Sequence, residues 1–171
     1  MNIVDKISPK TVLALLYLVI ALEIAAFQIY LQIDNIVNVD LYRFGLQFTA
    51  TWAIEYWTSY KIVLTTLIVS MAIMCLSLIP YYLYSQQNTR ASRWSCILFP
   101  LISAIFALVS LYFIMQIDNI VNVTLYQYEL QLSSIWHNKY LTITRSTLAM
   151  VETAIFLPII IAFLTWEITK D

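Results

Sequence analysis

Two carboxylates interrupt long apolar runs: Glu23 and Glu152 each sit inside a stretch of aliphatic and aromatic residues. An ionised side chain near the bilayer centre costs on the order of 3 kcal/mol or more, so a carboxyl there needs a proton, a cation or a hydrogen-bonding neighbour. Glu23 is predicted about eight residues below the outer end of its helix and Glu152 about five below the outer start of its own, or roughly 12 and 8 Å at ~1.5 Å per residue. In an up-down-up-down bundle the first and last helices are neighbours, so the two carboxyls could approach and share one proton. Such a pair suits a proton relay, a cation site or the anchoring of a partner helix. Each carboxyl could instead be protonated or bonded to a nearby hydroxyl; Thr65, Thr66, Ser103 and Ser110 are within the neighbouring runs.

The second set of polar groups is written almost twice. Gln32-Ile33-Asp34-Asn35-Ile36-Val37-Asn38-Val39 recurs letter for letter as Gln116-Ile117-Asp118-Asn119-Ile120-Val121-Asn122-Val123. The match continues with gaps through Leu41-Tyr42 and Leu125-Tyr126, Leu46-Gln47 and Leu130-Gln131, Trp52 and Trp136, Tyr56 and Tyr140. The offset is constant, from Asp34 to Asp118 as from Tyr56 to Tyr140, and close to half the chain. A doubled ancestral half is the simplest reading. The shared Asp34, Asn35, Asn38 and Asp118, Asn119, Asn122 offer oxygen ligands for a cation. The plainer reading is that the Asx side chains bond free backbone groups where the chain leaves a helix. Glu23 and Glu152 are not repeat partners, since the matching positions are Ala107 and Ile68.

Little else points to chemistry. The single histidine, His137, stands in an outer segment and reads as a surface residue; alone it makes neither a metal cluster nor a haem site. With one glycine there is no phosphate-binding loop, and no Ser/His/Asp set is present. Neither catalysis, a cofactor nor a metal is expected. A net charge of −1 gives no reason to expect a nucleic-acid partner. Cys75 and Cys96 lie at different depths of apolar segments and read as small buried hydrophobes, not a disulfide. Asn122-Val123-Thr124 is an N-glycosylation sequon, but its twin, Asn38-Val39-Asp40, is not one.

The elements that must position these groups are membrane helices. The chain is 61% hydrophobic and 11% charged, against about 25% charged in soluble domains. Its mean hydropathy is +0.79. Four runs have the roughly 20 apolar residues a crossing requires: 11–31, 63–84, 96–115 and 147–166. The first is too long for a signal peptide and lacks a small-x-small cleavage site. The fold expected is therefore an all-α integral membrane protein with four transmembrane helices in two tandem repeats. The first repeat is 1–85, with its outer segment at 32–61; the second is 96–171, with its outer segment at 116–145; a connection at 86–95 joins them. Two crossings per repeat make the repeats parallel, with both motifs on one side and both termini on the other. The connection is short and carries Arg90 and Arg93, which places it, and both termini, in the cytoplasm.

The outer segments are not ordinary hydrophilic loops. Tyr42, Phe44, Leu46 and Phe48, and in the second copy Tyr126, Tyr128, Leu130 and Leu132, alternate with other residues. Period two predicts strands, paired into a small extracytoplasmic β-containing cap. A helical reading competes, because Leu41, Phe44, Phe48 and Trp52 also share one helical face. Residues 50–60 read as an aromatic re-entry at the headgroup level.

Three functions fit. The first is a non-catalytic structural or accessory subunit of a larger membrane complex, with the lipid bilayer and other membrane subunits, or further copies of itself, as partners. The second is a small oligomeric transporter or channel that uses Glu23 and Glu152 for protons or cations. The third is a sensor that binds a lipid or small ligand beneath the cap. Topology is tested directly: cysteines introduced as Tyr42→Cys and Tyr126→Cys should both react with an impermeant thiol reagent added outside intact cells, and one introduced near either terminus should not.

Overall fold

The computed structural model describes residues 9–40, 50–87, 90–127 and 134–168. All of them are helical: α1 Pro9–Asp34, continued by a π-helical turn Asn35–Asp40, then α2 Ala50–Gln87, α3 Arg90–Gln127 and α4 Ser134–Ile168. Each α-helix contains a segment long and apolar enough to cross a bilayer, the mark of a multi-pass membrane protein. Helix is the only local structure that satisfies a lipid-immersed backbone within one segment. This environment also tolerates Pro80, Pro100 and Pro158 inside helices. Pro9 opens α1, where its missing N–H costs nothing.

The helices pack in a closed ring, α1 against α2, α2 against α3, α3 against α4, and α4 back against α1. The buried positions explain this packing. On α1 and the π-helical turn they include Val12, Leu16, Val19, Glu23, Ala26, Tyr30, Ile33 and Val37; on α2, Tyr56, Tyr60, Val63, Leu67, Ser70, Met74, Ser77 and Tyr81. On α3 they include Cys96, Pro100, Ser103, Ala107, Ser110, Ile114, Ile117 and Val121; on α4, Tyr140, Thr144, Thr147, Val151, Ala154, Pro158, Ile161 and Thr165. Every stripe steps alternately by three and four residues. That is the spacing of knobs-into-holes packing in a left-handed bundle. The offset between the two copies of the motif is a whole number of heptads. Adding it carries each α1 position onto an α3 position and each α2 position onto an α4 position.

Two apolar clusters fill the interior. One gathers Ala26, Tyr30, Ile33, Tyr56, Leu67, Ile117, Val121 and Tyr140; the other gathers Val12, Leu16, Val19, Met74, Tyr81, Cys96 and Ile161. Residues flanking Asp34 and Asp118 fall in the same cluster, so both motifs lie at one end of the bundle. The opposite end carries exposed Tyr82, Trp94 and Trp166; the Trp94 and Trp166 rings lie 5.8 Å apart, with the Arg93 guanidinium 5.7 Å from the Trp166 ring centre. Amphipathic aromatics of this kind mark a membrane–water boundary.

Three expectations need correction. The helices overrun the predicted spans: α2 and α3 have 38 residues each, about 57 Å against a hydrocarbon core of about 30 Å. The expected re-entry at 50–60 is the first part of the continuous helix α2. No strand occurs among the described residues. Of the second predicted strand, Leu125–Gln127 is helical; 41–49 and 128–133, which hold the rest of both, lie outside the described residues. At Leu125–Gln127 the physical reason is that a helix hydrogen-bonds its own backbone, whereas a small ribbon leaves edges open and is marginal alone.

Truncation should separate the stripe from the lipid face. Leu16→Ala and Leu67→Ala should each lower unfolding free energy in detergent by about 2–4 kcal/mol, and Leu18→Ala, on the exposed side, by about 0.5 kcal/mol or less. Reversible denaturant titrations followed by helical circular dichroism provide the measurement.

Candidate functional site

The hydroxyls of this chain fall into two groups. Most bond back to their own helix: Thr65, Thr142, Thr147, Thr153 and Thr165 donate to the carbonyl four residues earlier. This is how a hydroxyl is accommodated in an apolar helix. Ser70 and Ser103 instead turn across the bundle. Ser70 Oγ donates to Glu23 Oε1 at 2.5 Å, lies 3.0 Å from the Ser103 carbonyl and 2.9 Å from Ser103 Oγ. Ser103 Oγ donates to the same Glu23 oxygen at 3.4 Å. One layer nearer the motif end, Thr66 Oγ1 and Ser110 Oγ also meet across α2 and α3, at 2.6 Å.

Glu23, Ser70 and Ser103 are all buried, Glu23 to 1% exposure. They come from three helices and occupy packing positions of the stripe. The layer falls where the interior passes from one apolar cluster to the other. Glu23 stands midway along the apolar segment Lys10–Val37. Its Oε1 receives both serines, and its Oε2 has no hydrogen-bond partner among the described residues. A carboxyl so placed can hold a proton or a small cation and can lock the helices in register. The positions one repeat offset away carry Ala107, Ala154 and Val19, all buried and apolar.

The repeated motif forms a second site, at the motif end. Tyr56 Oη donates to Asp34 Oδ1 at 3.5 Å, and Tyr140 Oη donates to Asp118 Oδ1 at 3.0 Å. Each bond joins consecutive helices, α1 to α2 and α3 to α4, across the same separation in sequence. Tyr60 stacks between Tyr30 and Tyr56, with ring centres 5.1 and 5.9 Å away. The Tyr30 hydroxyl is buried with no hydrogen-bond partner among the described residues. These aromatics fill the space between the helices and leave the Asp carboxyls as acceptors for tyrosine.

The predicted residues are thus distributed unevenly. α1 ends at Asp34 and its backbone goes on as the π-helical turn to Asp40, whereas Asp118 lies within α3; both carboxyls accept a tyrosine hydroxyl from the next helix. Asn35 and Asn119 are exposed. Asn38 lies in the π-helical turn, its side chain outside the described ones. Asn122 is exposed and its Nδ2, the atom a glycan would take, donates to Asp118 Oδ2 at 3.1 Å. Glu152 is exposed on the outside of α4, and the structure does not join it to Glu23. Cys75 and Cys96 are both free, Cys75 exposed instead of buried as expected. The side chain of His137 lies outside the described ones. Among the described residues no group of three or more His, Cys, Asp or Glu could hold a metal ion. Ser70 was not singled out from sequence. Its signal was its phase, one heptad from both Val63 and Ser77 on the buried stripe.

No family model, curated protein or solved structure matches this chain.

The tyrosine–aspartate bonds should have measurable and unequal strengths. Tyr140→Phe should cost about 1–2 kcal/mol of stability and Tyr56→Phe less than about 1 kcal/mol, following the 3.0 and 3.5 Å lengths. A double-mutant cycle of Tyr140→Phe with Asp118→Asn should give a coupling that a cycle of Tyr140→Phe with Asp34→Asn lacks.

Proposed function

We propose that this chain is a non-catalytic structural or accessory subunit of a larger membrane complex. In this reading a doubled two-helix unit crosses the membrane four times, with both termini in the cytoplasm. The observation that carries it is Glu152, a carboxyl on the exposed side of α4 inside an apolar membrane-spanning segment. Charged groups in membrane segments almost always face a protein interior or a partner, because lipid offers them nothing. Glu152 lies two helical turns along α4 from exposed Arg145, or about 10 Å deeper.

Its surroundings suit a second helix. Ala149 and Thr153 are exposed beside it, one turn apart, and the Thr153 hydroxyl is already bonded to the Ala149 carbonyl. Small residues at this spacing let two helices approach closely in a membrane. The occupant proposed is a transmembrane helix of another protein that presents a hydroxyl, amide or basic donor at the depth of Glu152. The doubling is supported by the matching Asp–Tyr bonds and by buried stripes that share one offset. The orientation is supported by Arg93 and Trp166 at the end opposite the motifs.

A second reading, the small oligomeric transporter, is favoured by the buried carboxyl of Glu23. Apolar clusters fill the interior on either side of its layer, so a path would have to run between copies.

The particle extracted from its own membrane in mild detergent discriminates. It should contain other chains in fixed stoichiometry. Glu152→Leu should release this chain from them, whereas Glu152→Gln, which keeps the hydrogen bond, should retain most of the association. A particle built of this chain alone, or one unchanged by Glu152→Leu, would refute the subunit reading.

A further inference from the structure

We propose that Glu23, Ser70 and Ser103 form a binding site for one small monovalent alkali cation, of the size of sodium or lithium. The inference is independent of whether Glu152 docks a partner, because Glu152 lies on the outside of α4 and takes no part in it.

The first argument is a shortage of protons. Ser70 carries one hydroxyl hydrogen and has three acceptor oxygens in reach: Glu23 Oε1, the Ser103 carbonyl and Ser103 Oγ. It can satisfy one of them at a time. Ser103 adds one more hydrogen, also directed at Glu23 Oε1. Glu23 Oε2 receives none from the described residues, although it belongs to a side chain that is 1% exposed. The layer is thus rich in oxygen lone pairs and poor in donors, which is the composition of a site for a hard cation. When Ser70 gives its hydrogen to the Ser103 carbonyl, its lone pairs are released toward the carboxylate.

The second argument is charge. One carboxylate balances one positive charge, and neutrality matters most at mid-membrane depth. A divalent ion would leave an excess positive charge that a single buried carboxylate cannot balance. Glu23, Ser70 and Ser103 supply two carboxylate and two hydroxyl oxygens. The third argument is size. The hydrogen-bonded oxygens stand 2.5 to 3.4 Å from one another, on three packed helices. Opening them for a large ion would separate the stripes, whereas a small one requires little movement.

The cation site makes the layer more than a register pin. A pin needs only that the hydroxyls and carboxyl meet; it does not distinguish one salt from another. The test therefore reads salt identity. The full chain in detergent is melted in sodium, lithium, potassium and choline chloride at equal ionic strength. Sodium or lithium should raise the midpoint above that in potassium and choline, since a ligand that binds only the folded state stabilises it. The rise should be lost in Glu23→Gln and reduced in Ser70→Ala and Ser103→Ala, while Glu152→Gln should keep it. In parallel, a hydrophobic carbodiimide is applied to membranes containing the chain, and labelled peptides are mapped by mass spectrometry. Sodium should protect Glu23 and leave the labelling of Glu152 unchanged.

Equal midpoints in all four salts would overturn the proposal. So would a sodium effect that persists in Glu23→Gln, or a stabilisation by acid alone, which would make the layer a proton site. If Glu23→Gln does not fold, Ser70→Ala and Ser103→Ala decide by the same melting comparison.

Discussion

Each helix buries a residue at alternating intervals of three and four, and that stripe decides which side chains of this protein can meet. In lipid there is no hydrophobic drive to bring helices together; close packing and the occasional interhelical hydrogen bond must do it. The alternation keeps the same face of each helix turned to its neighbours over its whole length. The ring of four helices, the paired tyrosines at one end and the polar layer at mid-depth all occupy positions of that one pattern. A polar group off that stripe stays on the outer surface of the bundle, as Glu152 does.

The stripe also explains why so few polar groups are needed and why those few matter. Asp34–Tyr56 and Asp118–Tyr140 close the two hairpins at the same end. Near the opposite end Tyr81 and Thr165 hydrogen-bond across α2 and α4, between positions that are themselves one repeat offset apart. The layer of Glu23, Ser70 and Ser103 lies between these regions and ties three helices at one level. A single polar contact in an apolar seam is a recognised way to fix register. That role and the holding of a cation are compatible, because both need the same oxygens to converge.

The recurrence within the chain is informative in what it keeps and in what it lets go. It keeps the aspartates and tyrosines that tie consecutive helices. It does not keep the central carboxyl layer: Ala107, Ala154 and Val19 stand at the related positions. An element needed twice for folding should appear twice. One that appears once, at a cost in the membrane, is the better candidate for a function particular to this protein.

Much of the architecture was legible in the residues alone. Four apolar runs require four helices, because a bilayer forbids an unpaired backbone. Glu23 announced itself, because a carboxyl in such a run must find a partner. The recurrence of Asp34 and Tyr56 as Asp118 and Tyr140 marked the right residues, but read along the chain it suggested a helix end. Only the packed structure shows that each aspartate meets a tyrosine of the next helix, since that contact depends on how two helices lie side by side. Ser70 and Ser103 were two hydroxyls among many until packing separated those that cross the bundle from those that bond back. The fate of Glu23 and Glu152 was likewise decided by angular phase: both sit in apolar helices, but one falls on the buried stripe and the other on the opposite face. Composition determines that a helix enters the membrane; the direction a side chain takes from it is settled by the neighbours against which the helix packs.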